Sequence, residues 1–156
     1  MKNTYFENMY KIGCRYQAKK TAAKKKADAY YEKEQWDQVH AYLKDFRESN
    51  PFPFSDGAVM ALEAWRRSNR HGSDAFEVER LPWPEDMKDF ADTLKYAGVK
   101  RIVVTSQSTA LMRGIYGLYE NGWTLVGPQI VTRELEHSFG SSDPDKEKGI
   151  AFEMQE

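Results

Sequence analysis

GVKRIVVTSQSTALMRGIYGLYENGWTLVGPQIV, residues 98–131, is the stretch on which the fold turns. Ile102-Val103-Val104 is a β-branched run, and such runs bounded by turn residues read as buried strand, here Arg101 to Thr105. Ser108 or Thr109 opens the next element as a helix cap. Leu111, Ile115 and Leu118 then repeat at i, i+4 and i+7, the spacing of one helix face. Asn121-Gly122 stops that helix, and Trp123 to Val131 reads as a second strand. Pro128 has no N–H to give to a ladder, so this strand belongs at an edge or a bulge. Two strands joined through a helix run parallel with a right-handed crossover.

Upstream, Pro84 with Glu85 and Asp86 marks a helix start, because proline fits the first turn and acids there complement the dipole. Met87, Phe90, Leu94 and Ala97 form its inward stripe, and Gly98 stops it. Phe76 and Val78 alternate with Glu77 and Glu79, which predicts a short, half-exposed strand with both acids in solvent. Ser55 or Asp56 caps a helix through about Asn69, with Val59, Leu62 and Trp65 inward. Trp36, Val39, Leu43 and Phe46 stripe a charged helix over 33–48, which ends before Pro51. Residues 4–31 lack proline and read as helix with Gly13 as its weak point; Tyr10, Cys14 and Tyr16 are the candidates for its apolar face. Downstream, 138–149 reads as a mobile linker and Ile150-Ala151-Phe152 as a short terminal strand.

The fold class expected is therefore α+β or α/β: N-terminal helices packed on a small sheet with one parallel strand–helix–strand unit. Residues 1–156 are expected to form a single domain, helical over 1–72 and α/β over 73–137.

Charge is distributed unevenly along this framework. Residues 2–26 carry eight Lys and Arg against Glu7 alone, a local +7 in a chain whose net charge is −1, so the remainder carries −8. A polarised chain of this kind points one end toward a polyanionic partner. At 100° per residue, Lys11, Arg15, Lys19 and Lys26 fall in one quadrant, with Lys20 and Lys24 on the far side. Phosphates attract such a stripe through counterion release, and Tyr5, Phe6, Tyr10 and Tyr16 are interleaved where bases can stack. The competing reading is a solvated helix whose lysines pair with the acidic body.

Other groups carry weaker signals. Ser106, Ser108 and Thr109 lie where a buried strand hands over to a helix, a place that accommodates an anion; helix capping explains the same hydroxyls more simply. His40, His71 and His137 fall outside metal-ligand spacing, and neither an HExxH motif nor paired cysteines are present. Arg66, Arg67, Arg70 and His71 form a second basic cluster, read as cations complementing a helix C-terminus. Cys14, the only cysteine, excludes an intramolecular disulfide. No apolar run approaches the ~20 residues of a membrane span, and the N-terminus has no apolar signal core. The expectation is a cytoplasmic protein with no membrane partner, no metal and no cofactor.

Val104-Thr105-Ser106-Gln107-Ser108-Thr109-Ala110-Leu111-Met112 and, further on, Tyr119-Glu120-Asn121-Gly122-Trp123-Thr124-Leu125-Val126-Gly127 resemble a motif of small uncharacterised proteins from bacteriophages and mobile elements of gut Firmicutes. The resemblance covers about thirty residues and brings no catalytic residues with it. It implies an accessory phage protein, a class that includes anti-CRISPR inhibitors of host defence. The function expected is a non-enzymatic binding protein acting on a protein or nucleoprotein target. The rivals are a nucleic-acid-binding accessory protein that uses the basic helix, and a small enzyme with an anion site at Ser106–Thr109.

Overall fold

The computed structural model describes residues 1–105, 111–135 and 145–156. The fold is α+β, and among the described residues it has five helices and a four-stranded mixed sheet: α1 (Thr4–Glu32), α2 (Trp36–Ser49), α3 (Asp56–His71), β1 (Glu77–Val78), α4 (Pro84–Tyr96), β2 (Arg101–Val104), α5 (Leu111–Glu120), β3 (Trp123–Arg133) and β4 (Asp145–Met154). The chain divides into two compact units, one formed by residues 1–6 with 55–156 and the other by residues 7–54. α3 belongs to the first unit, where it packs against α4.

In the first unit the strand order is β1-β2-β4-β3. β1 pairs with β2 in parallel, Glu77 opposite Val103 and Val78 opposite Val104. The parallel strand–helix–strand unit is thus β1–α4–β2. β2 and β3, the pair read from residues 98–131, run in the same direction but are not paired through backbone: β4 lies between them, antiparallel to both. The residues expected to return as a short terminal strand therefore form part of a ten-residue central strand. The linker expected over 138–149 ends early, since 145–149 are already in β4; 138–144 lie outside the described residues. Lys146 and Lys148 disguise this strand by alternating with Glu147 and Gly149, so it carries no apolar signal until Ile150.

The sheet also curls toward closure. Gly72 ends α3 in the left-handed region at φ 60, and the chain then runs antiparallel to the end of β3 through a Ser73–Arg133 bridge. The Asp74 N–H donates to Thr132 O at 3.0 Å, the Thr132 N–H donates to Asp74 Oδ1 at 3.0 Å, and the Glu134 N–H donates to Gly72 O at 3.1 Å. Thr132 thus turns its backbone away from β4. By the period of two, Pro128 has its missing donor on that same outer edge, where the loss is harmless. A bulge between Leu125 and Gly127 lies just before it. Inside the curl, Val103, Val131 and Ala151 are fully buried against one another. The space is tight: a Cβ on Gly149 would lie 2.5 Å from Val103 Cγ1.

The helices follow from their sequences. Ser55, not Asp56, caps α3, its hydroxyl accepting from the Ala58 N–H at 3.3 Å. Pro84 opens α4, and Met87, Phe90, Ala91 and Leu94 are buried. Gly98, at φ 72, closes it, with the Val99 N–H reaching back to Leu94 O. Phe6 is fully buried, stacked on Trp65 at 5.6 Å and tilted against Phe76 at 5.9 Å. Aromatic groups of this size dominate core energetics, so Phe6 is core and takes no part in stacking on bases.

The second unit is a helical pair. The rest of α1 is joined to α2 by a tight turn in which Glu34 has φ 56. Within this unit the buried positions of α1 are Met9, Ala23 and Ala27, and Tyr16 is half-buried against Phe52. Tyr10 and Cys14, expected on the apolar face, are exposed. Met9, Tyr16, Ala23 and Tyr30 recur every seven residues, a stripe hidden in the sequence by its small Ala. None of the residues of α2 is fully buried; of its stripe, Val39, Leu43 and Phe46 are partly buried and Trp36 is exposed.

Candidate functional site

The strongest concentration of chemistry lies where the sheet closes. Glu77, expected in solvent, is 1% exposed on β1. Its Oε1 accepts from Thr105 Oγ1 at 2.8 Å and from a terminal nitrogen of Arg133. Its Oε2 accepts from Ser73 Oγ at 3.0 Å and from Arg133 Nε at 3.0 Å, so the guanidinium grips the carboxylate with two nitrogens. Arg133 also donates to Glu79 Oε1 at 3.1 Å, and Arg67 donates to Glu79 Oε2 at 2.5 Å. His71 Nδ1 lies 3.8 Å from Glu79. The contributors come from five pieces of backbone: α3, the turn after it, β1 with the residue that follows, the end of β2 and the end of β3.

Burial pushes the Glu77 carboxyl up, because the charged form loses water. The Arg133 and Thr105 hydrogen bonds, the Arg133 charge and the Ser73 hydroxyl outweigh it and hold the group below its ordinary value of 4.5. Glu77 is therefore an ionised carboxylate with its lone pairs occupied. Such a group locks three strands and a loop together and is poorly disposed to take a proton from a substrate. The ligand atoms of His71, Glu77 and Glu79 lie within 4.8 Å of one another, a metal-like grouping. The cation among them is already supplied by the guanidinium of Arg133, which contacts both carboxylates. Reading His71 as a helix-end cation missed this cluster. The Phe76-Glu77-Val78 alternation carried no signal of it, because the partner that buries Glu77, Arg133, is 56 residues away.

The basic residues singled out in the sequence are placed differently. Lys11, Arg15, Lys19, Lys20, Lys24 and Lys26 all lie on α1 within the second unit, and all are exposed. None forms an ion pair among the described residues. From Lys11 to Lys26 the helix rises about 22 Å. Ser106, Ser108 and Thr109 lie outside the described residues, as does His137. Arg66 and Arg67 are held by Glu63 and Glu79 rather than by the helix end. Among the described residues no helix is long and apolar enough to cross a membrane.

Residues 60–154 match the family model described as "Domain of unknown function (DUF7698)", and the chain belongs to that family. The match takes in α3 from Met60, the whole sheet and the buried cluster; the basic helix precedes it. No curated protein and no solved structure is significantly similar to the chain.

Proposed function

We propose that this DUF7698 member is a non-enzymatic binding protein whose target carries a polyanion, most simply a nucleoprotein. The observation that carries this reading is the run of six exposed basic residues on α1, free of ion pairs among the described residues. Lysines along one helix track a phosphate backbone without reading sequence, and the exposed aromatics Tyr31, Trp36 and Phe52 of the same unit supply contacts of another kind. Glu77, the one deeply buried carboxylate among the described residues, is spent on holding the sheet together, which favours binding over acid–base catalysis. A phage-borne inhibitor of a host nucleoprotein defence complex is a binding protein of this kind. The segment resembling phage proteins, Val104 to Gly127, is what ties the chain to that class.

The test is the variant Lys11→Gln/Arg15→Gln/Lys19→Gln/Lys26→Gln, with binding to a fluorescent duplex followed across a salt series. The expected result is weaker binding and a slope of log K against log salt smaller by roughly 0.7–0.9 for each phosphate no longer neutralised. An unchanged affinity and slope would sink the proposal. Competition by an unrelated duplex of equal length should be complete, because the interaction is blind to sequence.

A further inference from the structure

A second site lies on α3. Its outward stripe and the Glu79-Arg80 segment after β1 enclose an open cleft of about 470 Å3, within the range of small-molecule sites. Val59, Met60 and Ala64 supply apolar lining, and Arg67, Arg70 and Arg80 supply cationic lining. We propose that this cleft binds an organic anion: a phosphate or carboxylate head carried on an apolar chain.

Arg67 and Arg70 lie toward the C-terminal end of α3, and Arg80 follows Glu79, whose carboxylate meets Arg67, so the charge arrangement favours an anion at that end. The two acids nearest the arginines are already answered, Glu63 by Arg66 at 2.9 Å and Glu79 by Arg67 at 2.5 Å and Arg133 at 3.1 Å. The remaining acid of the lining, Asp56, is at the other end of the helix, fourteen residues and about 21 Å from Arg70. Arg70 and Arg80 are exposed and make no ion pair among the described residues. Guanidiniums are suited to oxyanions because their forked donors match the geometry of phosphate and carboxylate. Arg67 adds rigidity. It is held by Glu79, which is held by Arg133, which is gripped in turn by the buried Glu77. The wall of the cleft is thus anchored in the core of the sheet, and little ordering remains to be done when a ligand arrives. Between the arginines and Asp56, Val59, Met60 and Ala64 offer apolar surface to a hydrocarbon tail, and Glu63 is paired with Arg66.

The site is separate from α1 and stands or falls without it. The experiment is isothermal titration of the full chain with octyl phosphate, inorganic phosphate and octanol as whole, head-only and tail-only probes, with octanoate comparing the two head groups. Octyl phosphate should bind at least tenfold tighter than either half-probe. Arg70→Gln/Arg80→Gln should weaken it at least tenfold, and Met60→Gln should reduce its advantage over inorganic phosphate. The α1 variant with four glutamines should bind octyl phosphate as the parent does. Octyl phosphate binding no tighter than inorganic phosphate would overturn the proposal. So would binding indifferent to the two arginines, or binding abolished with the α1 charges. The substituted positions line open surface, and an unchanged circular dichroism melt establishes that each variant is folded.

Discussion

Glu77 in the first unit is buried and met by four donors, whereas α2 in the second unit buries no residue. The contrast separates two ways of using charge. In the sheet, opposite charges are taken out of water together, and the structure depends on both being present. On α1, like charges are left in water, where each contributes little to stability and remains available to a partner. Stability and recognition are therefore carried by different residues, and single substitutions can tell them apart.

The largest expected effect comes from leaving a buried charge alone. Arg133→Met keeps the bulk and removes the cation, and should destabilise the sheet unit by about 3–5 kcal/mol. Lys19→Met on the exposed helix should stay within about 0.5 kcal/mol. Urea denaturation of the two variants checks both; equal destabilisation would erase the contrast. The same pair sets an acid limit. The Glu77 carboxyl is held below 4.5 when folded, so its contribution is present above that pH and is lost as pH falls through 4.5 and beneath it. Glu77→Gln should be less stable at neutral pH and should flatten the stability profile in that acidic window, as read from melts between pH 3 and 6.

Glycines provide the next test. Gly149→Ala puts a methyl 2.5 Å from Val103 Cγ1 and 3.0 Å from Thr105 Cγ2 inside the curled sheet, and should cost about 1–3 kcal/mol. Gly13→Ala meets nothing within 4 Å on α1 and should stabilise that helix by up to about 1 kcal/mol. A stabilising Gly149→Ala would mean the interior is looser than described.

The elements with one-sided patterns were legible in the sequence. Trp36 to Phe46, Leu62 with Trp65, and Met87 to Leu94 each announce a helix through their own spacing. Pro128 announced an edge or bulge, and both are found in β3. What could not be read was whatever depends on distant backbone. Glu77 is 56 residues from Arg133, and nothing local to Glu77 distinguishes a solvated acid from one half of a buried pair. The insertion of β4 between β2 and β3 escaped for the same reason: Asp145 to Gly149 alternate charge and small residues, and only their partners Gln129 to Arg133 reveal them as a strand. The exposure of the α1 lysines was half-legible, since a basic stripe declares itself but its lack of ion partners does not.

The position of β4 has a consequence for how the protein is made. The last strand in chain order is an inner strand of the sheet, hydrogen-bonded on both sides. While a ribosome is still upstream of residue 145, β2 and β3 have no common neighbour, and Ile102, Val103 and Phe76 have no complete core to enter. The helical pair, built from contacts close in sequence, can form early in synthesis, whereas the sheet must wait for β4. A nascent chain stalled before Asp145 would therefore expose an unfinished apolar sheet behind an already folded helical segment, which is the state a chaperone would meet.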